Sequence, residues 1–117
     1  MARRIGPVWY SSSGTTKVAL RAEIHDEQLA IVFAGWRSKA DWWWLVHVPT
    51  GAIIALVEGS GAAVGAVGDL LKLPLEVDEF AASKSLDPKR RRYVHRLMRN
   101  AIMKWQMSSQ RPKRRKP

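Results

Sequence analysis

Lys89, Arg90, Arg91 and Arg92 are four consecutive cations, and Arg96, Arg99 and Lys104 follow them at spacings close to helical turns. A second cluster, Arg111, Lys113, Arg114, Arg115 and Lys116, closes the chain. A guanidinium grips phosphate through paired N–H donors and an ammonium acts as a compact point charge, so this set is suited to holding a polyanion rather than to making bonds. From Lys84 to Pro117 the sequence holds 13 of its 20 Lys and Arg and a single acid, Asp87, which makes that stretch +12. Residues 1–83 carry seven cations against nine acids, and the two parts give the net charge of +10. A solvated helix face ordinarily mixes in Glu to form i,i+4 pairs, yet residues 88–117 contain no acid. The partners that such a segment attracts are nucleic acid (DNA or RNA), a nucleoprotein complex or an acidic protein surface.

The elements that must position these cations can be read from the pattern around them. Asp87-Pro88 is a helix start, with aspartate as N-cap and proline at the first helical position. The helix is expected to run to about Met107. Spacing of 100° per residue gathers Val94, Leu97, Met98, Ala101, Ile102 and Trp105 into one stripe and sets Arg92, Arg96 and Arg99 on the opposite side. Four cations in the first turn oppose the helix dipole at about 0.3–1 kcal/mol each. Local conflict of this kind is expected where binding, not folding, selects the residue. Asn100 and Gln106 are the candidates for reading base edges. Residues 108–117 read as a disordered basic tail.

Upstream, residues 1–16 read as a flexible lead-in with a short extended piece at Val8-Trp9-Tyr10, because Pro7, Gly14 and a Ser/Thr run interrupt any period. From Lys17 the residues alternate, and Val18, Leu20, Ala22 and Ile24 are assigned to one face of a strand. His25-Asp26-Glu27-Gln28 is a turn, Leu29 to Trp36 a strand covered on both sides or central in the sheet, and Arg37 to Asp41 a polar connection. Trp42 to Val48 and Ala52 to Val57 form a hairpin about Pro49-Thr50-Gly51. Alternation places Trp43 on the face opposite Trp42 and Trp44. On an open face Trp43, with Trp36, could stack unpaired bases; otherwise the two fill the core or a dimer interface, and Trp42, Trp44 and Trp105 are assigned to the core. Gly59 to Leu71 is a small-residue helix, capped by Ser60 and stopped by Pro74, whose glycines allow close packing on the sheet. Leu75 to Ser83 offers only a short helical turn at Asp78-Glu79-Phe80.

Catalysis finds little footing. There is no cysteine, and His25, His47 and His95 lie on separate elements without metal-ligand spacing, so neither cofactor nor metal is expected. The 21-residue apolar run Gly51 to Leu71 contains Glu58 and Asp69, which argues against membrane insertion, and no signal peptide is apparent at the N-terminus. A cytoplasmic location follows as the expectation.

The sequence therefore predicts an α+β domain over residues 17–107. It comprises a mainly antiparallel four-stranded meander, a packed small-residue helix and a long basic C-terminal helix. Its expected function is non-enzymatic nucleic-acid binding through Lys89–Arg92, Arg96, Arg99, Lys104 and the tail, with Trp43 stacking on single strands. The alternative is a small inhibitor or adaptor that places the same helix on an acidic or nucleic-acid-binding surface of a protein or nucleoprotein. A homodimer would double the basic surface.

Overall fold

Residues 3–12 form a strand that pairs in a hairpin with the strand from Thr15 rather than a lead-in, and this gives the sheet a fifth strand. The computed structural model describes residues 3–76, Glu79 and 86–110, with side chains through Gln106. The strands β1 (Arg3–Ser12), β2 (Thr15–His25), β3 (Leu29–Arg37), β4 (Ala40–His47) and β5 (Ala52–Glu58) pair antiparallel in sequence order. Ser13-Gly14, Asp26-Glu27-Gln28 and Ser38-Lys39 join the first four strands, and all of these residues but Gln28, six in number, have positive φ. Two-residue hairpin turns need this left-handed conformation because it matches the strand twist. Five of the six are not glycine, so each of those positions carries backbone strain that the paired strands hold in place.

Both faces of the sheet are covered. On one, Leu29, Ile31, Leu45 and Val57 pack beneath two helices, α1 (Ser60–Leu71) and α2 (Pro88–Gln110). On the other, Ala30, Val32 and Val46 meet Val8, Ala22 and Ile24, which belong to the first hairpin. The hairpin reaches them because β2 pairs with β3 at only three positions, Glu23–Ile31, Ile24–Ala30 and His25–Leu29. It then curls across the sheet until the Ser11 N–H donates to the Gly51 carbonyl at 2.9 Å. Gly51 has φ 75°, and a Cβ there would lie 2.9 Å from the Trp9 carbonyl oxygen, so this close approach requires glycine. The five strands thus form a half-closed barrel with helices on its outer side.

The expected alternation in β2 fails for a local reason. Val8 pairs with Ala19 but Gly6 pairs with Ala22, so β2 holds one extra residue at Leu20-Arg21. Crossing that bulge reverses the phase. Val18 and Leu20 are exposed, while Ala22 and Ile24 are buried.

Helix α1 buries Ala63, Ala66, Val67 and Leu70 over β3, β4 and β5. Its cap is not the Ser60 side chain. Gly59 is the N-cap residue, and Asp41 of β4 supplies the acceptors: its carbonyl takes the Gly59 N–H at 2.7 Å and its carboxylate the Ser60 N–H at 3.1 Å. Helix α2 begins as the sequence predicts, with the Asp87 carboxylate accepting the Lys89 and Arg90 N–H groups at 2.9 and 3.2 Å. Val94, Met98 and Ile102 are buried and Leu97, Ala101 and Trp105 half-buried, which reproduces the predicted stripe, and the helix continues to Gln110. Trp105 locks the two helices together. Its ring lies where a Gly65 Cβ would be, 2.5 Å away, and its Nε1 donates to the Asp69 carboxylate at 2.7 Å. The expected turn at Asp78-Glu79-Phe80 falls, except for Glu79, outside the described residues, as does the tail from Arg111. Among the described residues no helix is long and apolar enough to cross a membrane.

Candidate nucleic-acid interface

The structure sorts the cations of α2 into two groups. Arg90 makes a two-pronged bond to Glu79, Nε to Oε2 at 2.6 Å and Nη2 to Oε1 at 2.9 Å. The pairing holds the Glu79 carboxyl below the usual carboxylate range and raises Arg90, each chiefly through the shared hydrogen bonds. Arg91 donates to the Leu86 carbonyl at 3.1 Å, and the Lys104 ammonium sits 3.3 Å from the Asp69 carboxylate. These three, expected to face a partner, also have intramolecular partners that fasten α2 to its surroundings. The first-turn conflict with the dipole is accordingly smaller than the sequence suggests, because Glu79 neutralises part of it.

Lys89, Arg92, Arg96 and Arg99 form the second group. All four side chains are exposed, and none has a carboxylate partner among the described residues. Arg96 lies over the Tyr93 ring at 5.6 Å, with Arg90 at 5.3 Å, which restricts its direction without neutralising it. A rise of 1.5 Å per residue spreads Lys89 to Arg99 over about 15 Å along the helix axis. Arg92, Arg96 and Arg99, with His95 and Asn100, line a concavity of about 400 Å³. It adjoins a second of about 470 Å³ between α2 and the free edge of β5, which shares His95 and Arg99 and has Ile53, Ile54 and Met103 in its walls. Asn100 is therefore placed to meet a ligand of the cationic face. Gln106 is not, because its amide donates to the Leu56 carbonyl at 2.9 Å and covers that strand edge.

Trp43 does not lie on an open face. Its ring is half-buried against the helix-side core, and its Nε1 donates to the Asp41 carboxylate at 2.6 Å. That hydrogen bond is the main reason the Asp41 carboxyl lies below its ordinary range. The exposed aromatics beside it are Phe33, 5.1 Å from Trp43 between ring centroids, and Trp36, 6.0 Å from Phe33. Phe33 escaped the sequence reading because the run Leu29, Ile31, Phe33 looks uniformly internal. The register supplies the missing signal, since Phe33 pairs with Trp43 at a level where β2 has already left the sheet.

The histidines do not converge. His25 and His47 are each 1% exposed; His25 Nε2 shares a 2.6 Å hydrogen bond with Glu23, and His47 Nδ1 a 2.8 Å one with Thr50. His95 stands apart on the outer side of α2. Among the described residues no group of three or more His, Asp or Glu side chains is arranged to hold a metal ion. Arg111, Lys113, Arg114, Arg115 and Lys116 lie outside the described residues. Comparison with protein-family models, with curated proteins and with solved structures gives no match, so the function is argued from the residues of the chain itself.

Proposed function

We propose that this protein binds nucleic acid without catalysing a reaction, and that the outward face of α2 makes the contact. One observation carries the reading. Four cations, Lys89, Arg92, Arg96 and Arg99, share one exposed side of a helix whose opposite side is docked through Val94, Met98, Ile102 and Trp105, while the neighbouring cations Arg90, Arg91 and Lys104 are engaged within the fold. A helix-borne row of cations without carboxylate partners among the described residues meets a phosphate backbone with little ordering cost. The basic residues from Arg111 onward add charge to the same end of the chain.

Titration of a labelled duplex at several salt concentrations tests the reading. Four contacts give a log–log slope of about −3.6 on duplex and about −2.8 on a single strand, steeper if the tail also engages. Replacing Arg92, Arg96 and Arg99 by Gln removes about three quarters of the four-cation slope. Arg90→Gln is the control: it lowers stability through loss of the Glu79 pair and leaves the slope unchanged. A salt-insensitive interaction, or one unaffected by the triple substitution, defeats the proposal. Failure to bind DNA or RNA at about 10 μM in low salt, where non-specific binders ordinarily associate, favours the adaptor with an acidic protein partner.

A further inference from the structure

Ile5, Trp9, Val18, Leu20, Phe33 and Trp36 are all exposed large apolar side chains. The register places them on one side of the sheet. Ile5 pairs with Glu23, Glu23 with Ile31, Trp9 with Val18 and Phe33 with Trp43, and Ile31 and Trp43 belong to the helix-side core. These six therefore lie on the outer, helix-bearing face at positions that α1 and α2 leave uncovered.

Within this surface Phe33 and Trp36 have a built geometry. Their rings meet edge to face at 6.0 Å, and Phe33 rests edge to face on Trp43, whose indole is fixed by Asp41. Trp36 is 71% exposed and Phe33 46%, so each offers ring surface to solvent while the ladder beneath sets its orientation. β3 has no strand partner on the β2 side beyond Ile31, so the backbone edge beside these rings is open. Exposed cations lie on the strands that carry or flank the rings: Arg37 follows Trp36 in β3, Lys39 is in the β3–β4 turn and Arg21 is on β2, none with a carboxylate partner among the described residues.

We propose that the Phe33–Trp36 ladder is a separate nucleic-acid contact that takes unpaired bases, with Arg21, Arg37 and Lys39 meeting the adjoining phosphates. The inference rests on the nucleic-acid reading of α2 and deepens it by naming a single strand as the ligand. It uses different residues, for α2 lies beside β5, two strands away from β3. Exposed aromatic rings with cations on the same and adjoining strands suit a single strand, since every free base has a π-face, whereas the bases of a duplex are already stacked on one another. The same cations disfavour a second copy as occupant, because a chain of net charge +10 would bring like charges together around the rings.

The test compares a labelled oligothymidine of about a dozen nucleotides with a hairpin duplex, for wild type, Trp36→Leu, the Phe33→Ala/Trp36→Ala pair and the α2 triple Gln variant, with folding checked by circular dichroism. Both residues are exposed, so the fold is retained. The double alanine variant is expected to lose about 5- to 100-fold in single-strand affinity, with duplex affinity within about twofold and the salt slope unchanged. Trp36→Leu keeps apolarity but removes the stacking ring, and is expected to share most of the loss. The α2 variant instead weakens both ligands and flattens both slopes. Single-strand affinity unchanged in the double alanine variant overturns the ladder and leaves the α2 reading standing. Unchanged slopes in the α2 variant, with the ladder effect intact, overturn the α2 reading alone. Unchanged affinity together with loss of a wild-type dimer in size-exclusion chromatography assigns the rings to self-association and also overturns the ladder.

Discussion

Gly65→Ala should change the sign of its effect with the residue at position 105. In a helix interior the substitution ordinarily stabilises by about 1 kcal/mol, because glycine has more backbone entropy to lose. Here the new Cβ would meet three atoms of the Trp105 ring at 2.5–2.6 Å, well inside normal contact. The ring is rigid and is tethered by its bond to Asp69, one turn along α1 from Gly65, so it cannot swing clear without breaking that bond. Overpacking of this kind costs about 1–3 kcal/mol, and the tether puts it in the upper half of that range. The net expectation is destabilisation of about 1–2 kcal/mol in the native background. Trp105→Ala alone should cost about 2–3 kcal/mol, less than for a fully buried Trp because the ring is half-exposed. In that background the clash has gone, and Gly65→Ala should stabilise by about 1 kcal/mol, which gives a coupling of about 2–3 kcal/mol. Urea unfolding followed by far-UV circular dichroism measures all four corners of the cycle without interference from the six Trp residues. Stabilisation of equal size in both backgrounds would refute the seating of Trp105 in the Gly65 notch, and with it the fixed orientation of the arginine face.

Two further outcomes follow from other parts of the fold. The Asp41 and Asp69 carboxyls are held low by the Trp43 and Trp105 indole N–H groups, and for Asp69 by Lys104 as well. Their folded pKa values lie below the unfolded value near 4, so their stabilisation is complete above that pH and is lost as pH falls through the folded values. Unfolding measured between about pH 2 and 6 should show this acid limb, and Asp41→Asn or Asp69→Asn should flatten it; an unaltered limb in both variants would place the acid sensitivity elsewhere. Ser13 holds φ 53° beside Gly14 at φ 77°, so Ser13→Asn creates the turn pair best suited to this hairpin and should raise stability by about 0.5 kcal/mol, whereas a loss would show that the turn is not of this type.

How much the sequence disclosed depended on whether a signal was local. Asp87-Pro88 and the 100° stripe from Val94 to Trp105 specify the start and docking face of α2 with no help from the rest of the chain, and both agree with the structure. The hairpin about Pro49-Thr50-Gly51 is local in the same sense. Strand β1 was obscured because Pro7 and a run of serines resemble a loop, yet they sit in a strand whose inner face shows only Gly6, Val8 and a half-buried Tyr10. One bulge at Leu20-Arg21 was enough to misplace Val18 and Leu20, since a period of two carries no memory across an inserted residue. The intramolecular bonds of Arg90 to Glu79 and of Lys104 to Asp69 were not legible, because those partners are brought up only by tertiary packing. Whether Trp43 is open or covered was likewise not a local property. Its exposure depends on where α1 crosses the sheet, and Asp41 fixes that crossing by capping the helix from a neighbouring strand.

The half-closed barrel also has a temporal side. Each hairpin brings together residues close in sequence, and such units zip up in about 1–10 μs. The Ser11–Gly51 hydrogen bond instead joins residues about forty apart, and it can form only after the first hairpin has curled over Val32 and Val46. Closure thus depends on hairpins that must already be in place. Ser11 lies near the end of an outer strand and β4 within the sheet, so hydrogen exchange should show the Ser11 amide opening before the amides of β4.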